Sequence, residues 1–233
     1  MGKVRHAVAG NPVKHSLSPI LTAIVHAHLS RTKGVKIPGL KGVVVIPTEG
    51  VENALAWGYA GSLIQQIQRR HSKKDLSYIG IEPSENMINV AMKRSFNNSE
   101  KIEFINDYIS NIKLLSSSFI TSYYTIQFIS PGVRQQVFNQ IYDSLDWGGG
   151  FFLFEKVRSP DARFQDYSIQ SYQEFKINNG YNLSEIINKS RSLKGVLEPF
   201  TSKANEDYLK RAGFDDFETI FKSFCFQGWL AIK

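Results

Sequence analysis

The chain has 233 residues, 42% of them hydrophobic and 21% charged, with a formal charge of +7 and one cysteine. That length supports one good-sized core with an appendage, and the composition is ordinary for a globular protein. No apolar run reaches the roughly 20 residues a membrane-crossing helix needs, so no membrane partner is expected. The single Cys225 excludes an intrachain disulfide, and with no secretory signal expected, the reading is cytoplasmic.

The predicted elements begin with a helical pattern from Ser18 to Leu29, with Pro19 in its first turn, and a strand-like run at Lys41–Pro47. Residues 1–50 stand apart as an N-terminal segment, and residues 51–233 read as one α/β domain. Arg69-Arg70-His71-Ser72-Lys73-Lys74 is the one dense basic run. It closes a helical pattern, where cations suit the C-terminal dipole. Nucleic acid is thus a partner the charge allows but the pattern does not favour. Five histidines without paired spacing give no metal site.

From Ser77 onward strands and helices alternate. Ser77–Glu82 reads as a strand, followed by a helix over Ser84–Ser95 with Ser84 as N-cap. Ile102–Asn106 is a short strand ending at Asp107. Ser118–Ile126 is β-branched and aromatic. Val133, Val137, Ile141 and Leu145 recur at four-residue spacing, which predicts a helix that Gly148-Gly149-Gly150 breaks. Phe151–Glu155 is a buried strand. Residues 159–202 are aromatic and polar, with helical patterns at Arg163–Ile177 and Leu183–Leu193. They read as an insertion covering the carboxyl edge of a sheet. Asp207–Ala212 is a short helix stopped by Gly213, and Phe214–Phe221 and Phe224–Ile232 are the last strands. The expected fold is α/β: a doubly wound, Rossmann-like, mostly parallel sheet with an antiparallel C-terminal strand and a helical cover.

The stretch Tyr78-Ile79-Gly80-Ile81-Glu82-Pro83-Ser84-Glu85 carries the chemistry. An apolar run ends in one carboxylate and a helix starts at once. At the carboxyl end of a second strand, such a carboxylate accepts the two hydroxyls of a ribose. A helix-start acid favoured by the dipole is the structural alternative.

Tyr78–Met87, Asn106-Asp107-Tyr108 and Leu145–Glu155 together resemble the S-adenosylmethionine-dependent methyltransferase fold. Tyr124–Pro131, Phe154-Glu155-Lys156, Phe175–Tyr181, Lys189–Leu193 and Lys210–Phe214 are similar to the carboxy-S-adenosylmethionine synthase family, over roughly residues 57–233. The resemblance implies S-adenosyl-L-methionine as cofactor and a homodimer. It implies cofactor contacts from Glu82 and Pro83, and from Asp107 to the adenine amino group with the Tyr108 backbone beside it; Tyr123, also a cofactor-contact candidate, falls where the family has an asparagine near the methionine moiety. Family members convert S-adenosylmethionine and prephenate into a carboxylated cofactor used in tRNA wobble-uridine modification.

Two departures stand out. Tyr208 falls where the family has an arginine that grips the extra carboxylate, a bidentate contact a tyrosine cannot reproduce. The glycine loop is reduced to Ala56-Trp57-Gly58-Tyr59-Ala60-Gly61-Ser62, with Gly58, Ala60 and Gly61 as its cofactor-facing residues. In a rival alignment Val43–Ile46 is the first strand, Thr48-Glu49-Gly50 the loop, and one long helix follows from Val51 to Arg70. Gly10–Pro19 is similar to the shikimate-carboxylate motif of shikimate dehydrogenases, with a turn and helix cap as the plainer alternative.

The expected function is methyl transfer from S-adenosylmethionine to a small-molecule acceptor. Tyr123, Tyr172 or Glu155 would take the acceptor proton, and Tyr208 and Tyr181 would face the substrate. A carboxy-S-adenosylmethionine synthase using prephenate is one alternative. A non-catalytic binding or dimerisation protein is the other. The plain readings are core packing for the tyrosines, a salt bridge with Lys156 or Arg158 for Glu155, and a turn for Asp107.

Overall fold

A computed structural model of the chain describes residues 43–46, 77–93 and 101–233. The strands are β1 (Val43–Ile46), β2 (Ser77–Ile81), β3 (Lys101–Ile105), β4 (Ser117–Tyr123), β5 (Leu145–Lys156), β6 (Asp216–Ser223) and β7 (Phe226–Ile232). They form one sheet in the order β3-β2-β1-β4-β5-β7-β6. β1 to β5 run parallel, and β7 runs antiparallel to both β5 and β6. The chain order reverses at β1, which makes the crevice beyond β1 and β4 the switch point of the sheet.

The helices are α1 (Glu85–Met92), α2 (Pro131–Ser144), α3 (Ala162–Asn178), α4 (Leu183–Ser192) and α5 (Ser202–Ala212). β5 is apolar on both faces because both are buried. Phe151 and Leu153 join Val137, Phe138 and Ile141 of α2 and Leu209 of α5 in the main core. Phe152 and Phe154 point the other way, where Phe119 lies 5.1 Å from Phe152 between ring centroids. α5 ends at Gly213, whose φ of 112° suits only glycine well.

Three sequence expectations change here. Val43–Ile46 pairs with both β2 and β4, so the sheet's first strand lies inside the N-terminal 50 residues that were set apart. This is the rival alignment's strand. Gly148–Gly150 do not separate helix from strand, because α2 already ends at Ser144 and β5 starts at Leu145. Gly148 N–H donates to Lys233 O at 2.8 Å and Lys233 N–H to Gly149 O at 3.1 Å, so the glycines pair with the residue after β7, and Gly148, at a φ of 76°, turns the chain within β5. α5 starts at Ser202, ahead of the expected Asp207, because Thr201 caps it through Ala204 N–H.

The insertion is a closed excursion. Arg158 N–H donates to Phe200 O at 2.9 Å, and Arg158 bridges Thr201 beside it. Between these points α3 packs through Tyr172 and Phe175 on Phe224 and Phe226 at the β6–β7 connection, and α4 packs on α3. Asn182 and Glu185 form a reciprocal capping box that starts α4.

Candidate functional site

The parallel strands deliver their last residues to one edge. Asp107 follows β3, Glu82 follows β2, Tyr123 ends β4 with Tyr124 directly after it, and Glu155 and Lys156 end β5. With strands about 4.8 Å apart, three spacings put the end of β5 about 14 Å from that of β2. The row is long enough for a nucleoside at one end and a second small molecule at the other.

Glu82 is 3% exposed, and its Oε1 accepts the Ser84 N–H at 2.9 Å. The Glu82 N–H donates to Ile105 O at 3.0 Å. The Asn106 side-chain amide donates to the Glu82 and Pro83 carbonyls at 3.0 and 2.9 Å. One carboxylate oxygen is thus held by the Ser84 amide, and the backbone that carries it is held by Ile105 and Asn106. Sequence reasoning did not single out the side chain of Asn106, and only its place directly after β3 hinted at this brace.

Asp107 is partly exposed. Its Oδ1 accepts the Tyr108 N–H at 2.7 Å and the Asn111 side-chain amide at 2.8 Å, so one oxygen is committed to the turn. Tyr108 itself is exposed. Tyr123 is buried against Phe154 and Tyr124, with ring centroids 5.4 and 4.5 Å away. Tyr124 has a φ of 58°, a left-handed conformation that costs a non-glycine residue about 1–3 kcal/mol. Its N–H donates to Phe154 O at 2.7 Å, and this bond holds the turn in place.

Glu155 does not pair with Lys156 or Arg158. It is 2% exposed, and its two oxygens accept the Ile126 and Gln127 N–H groups at 3.0 and 2.9 Å. These amides open the single 3₁₀ turn Ile126–Phe128. Burial pushes the Glu155 carboxyl up to about 8, against the pull of those amides and of Arg134. Arg134, also buried, closes the same turn from the other end. It donates to Ile129 O at 2.8 Å, Gln127 O at 3.2 Å and Glu198 O at 2.9 Å, and lies 4.3 Å from the Phe200 ring centroid. An acid at the N-terminal amides and a guanidinium at the C-terminal carbonyls match the turn's dipole. Arg134 escaped sequence reasoning, although it is the one cation within the periodic stretch Val133–Leu145.

Tyr208 lies in the core rather than at the edge. Its ring stacks 5.2 Å from Phe138 and 5.9 Å from Phe200, and the Arg211 guanidinium sits 4.7 Å from its centroid. Tyr172 belongs to α3 and packs on Phe226 at 5.0 Å and Phe224 at 6.2 Å. Burial pushes its phenol above the ordinary range, as it does for Tyr181, where the charge of Glu185 adds to the effect. Gly58, Ala60 and Gly61 lie outside the described residues, as do the Gly10–Pro19 motif and the Arg69–Lys74 run. Among the described residues, no helix is long and apolar enough to cross a membrane.

Comparison with known proteins agrees with this fold. A family described as methyltransferase domain matches residues 58–149. That match starts at Gly58, whereas the strand in the sheet's first position is Val43–Ile46. The chain is 38% identical over 161 residues to the carboxy-S-adenosyl-L-methionine synthase of Staphylococcus epidermidis, covering 69% of this chain and 70% of that one. It is 35% identical over 193 residues to that of Wolinella succinogenes, covering 81% and 78%. Among solved structures it resembles human N-acetylserotonin methyltransferase in complex with SAM, with a TM-score of 0.53 and 15% identity. That likeness covers 93% of this chain and 55% of the human one. It also resembles an O-methyltransferase family 2 protein from Planctomyces limnophilus, with a TM-score of 0.59 and 10% identity, covering 94% and 61%. The chain spans little more than half the length of these two solved chains, and the likeness to them is one of fold.

Proposed function

The chain belongs to the carboxy-S-adenosyl-L-methionine synthase family, and from that premise we propose that it binds S-adenosyl-L-methionine and directs its methyl group to a small-molecule acceptor. The observation that carries this reading is Glu82, a braced, enclosed carboxylate at the carboxyl end of β2, beside the switch point. Its chemistry fits a ribose, since a carboxylate accepts from two vicinal hydroxyls. Pro83 shapes the turn that follows. Asp107 would receive the adenine amino group on Oδ2, because Oδ1 holds the Tyr108 and Asn111 donors.

The bound cofactor supplies an electrophilic methyl group. Displacement at such a carbon asks the protein chiefly for proximity, alignment and exclusion of water. α3 lies at the acceptor end of the edge, and Tyr123 and Tyr124 stand at the end of β4 between the two ends. Of the residues expected to handle a proton, Tyr172 suits a hydrogen-bond donor that orients the acceptor, because burial keeps its phenol protonated. Glu155 is spent on the turn at Ile126 and Gln127 and acts as a positioning residue.

The second reading is synthesis of the carboxylated cofactor from prephenate, which the names of the relatives favour. Against it stands Tyr208, which fills the core between Phe138 and Phe200 where the family resemblance places an arginine. The deciding experiment incubates the protein with S-adenosylmethionine, with and without prephenate, and weighs the nucleoside product. S-adenosylhomocysteine formed with an added acceptor supports methyl transfer. A gain of carboxyl mass on the cofactor overturns it in favour of the second reading.

A homodimer in the cytoplasm accords with the same reading. α3 exposes Phe164, Tyr167, Ile169 and Ile177, and α4 exposes Leu183 and Ile187, which is more apolar surface than two adjacent helices ordinarily leave uncovered. The basic residues are scattered along the sequence apart from Arg69–Lys74, and a nucleic-acid substrate is not part of the proposal.

A further inference from the structure

Lys156 is the last residue of β5, and Lys176 lies in the last turn of α3. Lys156 pairs with Phe226 across the β5–β7 ladder, so their side chains leave the sheet on the same face. The Phe226 ring packs 5.0 Å from Tyr172, and the Lys176 ammonium stands 4.6 Å from the Tyr172 ring centroid. Phe226 also lies 5.4 Å from Tyr124, the strained residue that follows β4. Two lysines from separate elements thus meet at one aromatic wall next to the switch point.

Both lysines are half-buried. Among the described residues neither ammonium has a carboxylate partner; the ion pairs there are Arg163–Asp161 and Lys203–Asp207. Burial, and after it the charge of Lys156, draws Lys176 below its usual range. Gathering like charges in a half-buried corner without a counter-ion is costly. An oxyanion between them would remove that cost and gain charge-assisted hydrogen bonds.

We infer that Lys156 and Lys176 form an anion subsite under α3, with the Tyr172 ring as its wall, that holds a carboxylate or phosphate group of the acceptor. The inference rests on the reading that the acceptor lies at the β4–β5 end of the edge, and it narrows that acceptor to an anionic small molecule.

Calorimetric titration at low ionic strength with benzoate and with inorganic phosphate tests it. The proteins are the wild type, Lys156→Gln, Lys176→Gln, Lys176→Arg and, as control, Lys113→Gln. Lys113 is exposed in the segment leading into β4, at the opposite edge. The wild type should bind at least one probe with one-to-one stoichiometry. Either glutamine variant should weaken it about ten-fold or more. Lys176→Arg should restore much of the affinity, and Lys113→Gln should leave it unchanged. Tighter benzoate assigns a ring-borne carboxylate to the subsite, and tighter phosphate assigns a phosphate. No anion binding by the wild type, or equal weakening in Lys113→Gln, overturns the subsite. S-adenosylhomocysteine titrated into the same proteins separates the two claims. Retained nucleoside binding with lost anion binding shows folded variants and supports the subsite. Absent nucleoside binding in every protein sinks the proposed function while leaving the anion result to stand by itself.

Discussion

Glu155 and Gln127 clamp each other across the ends of β5 and β4: the Glu155 carboxylate accepts the Gln127 N–H at 2.9 Å, and the Gln127 side-chain oxygen accepts the Lys156 N–H at 3.1 Å. The pair fixes the turn after β4 to the strand that carries Lys156. The loop that shapes the middle of the edge and the lysine corner beyond it are thereby one rigid unit.

Removing that carboxylate should be severe. Glu155→Ala strands two buried amide donors, at about 1–3 kcal/mol each. Chemical denaturation should show a loss of that order, and a loss near zero would mean water replaces the side chain without cost. Glu155→Gln keeps one acceptor and should lose roughly half as much.

The same group makes stability depend on pH. Burial raises the folded Glu155 carboxyl to about 8, above the ordinary glutamate value of about 4.3. An acid that holds its proton more tightly when folded stabilises the fold fully below its unfolded pKa, and that contribution is lost as pH rises through the folded pKa. Melting temperature should therefore fall between about pH 5 and pH 8, and Glu155→Gln should flatten the slope. A variant with the wild-type slope would place the titration elsewhere.

Tyr208 is a packing residue on this account. Tyr208→Phe keeps the stack with Phe138 and Phe200 and should leave stability within about 1 kcal/mol, whereas Tyr208→Ala should cost about 3–5 kcal/mol. Activity of Tyr208→Phe close to wild type would agree. A large loss in kcat with intact stability would return the hydroxyl to the substrate site.

Gly213 offers a backbone test. Its φ of 112° and the Tyr142 ring, 2.8 Å from where a Cβ would stand, make Gly213→Ala destabilising by more than about 1 kcal/mol. A neutral result would show that the junction between α5 and β6 relaxes freely.

Much of the fold was legible because the parallel strands are short apolar runs with polar or glycine punctuation. Glu82 stood out for the same reason: a lone acid after Tyr78–Ile81, followed by Pro83. The errors came where long-range pairing overrides local signals. Gly148–Gly150 look like the break between helix and strand, yet the helix ends at Ser144 and the glycines lie inside β5, where Gly148 and Gly149 pair with Lys233. Val133 has helical spacing but is exposed, while Leu145, the last of the same series, belongs to β5. Arg134 and the Lys156–Lys176 corner were missed because each gains its meaning from partners on other elements. Tyr208 was read as substrate-facing from its alignment position, and only the positions of Phe138 and Phe200 show it enclosed.

The most direct test is calorimetric titration of the wild type and Glu82→Ala with S-adenosylhomocysteine. The account predicts saturable binding by the wild type and a loss of about 1–3 kcal/mol in the variant, the range for removing a buried charged hydrogen-bond partner. No heat and no rise in melting temperature at millimolar ligand, or equal affinity in the two proteins, would contradict it.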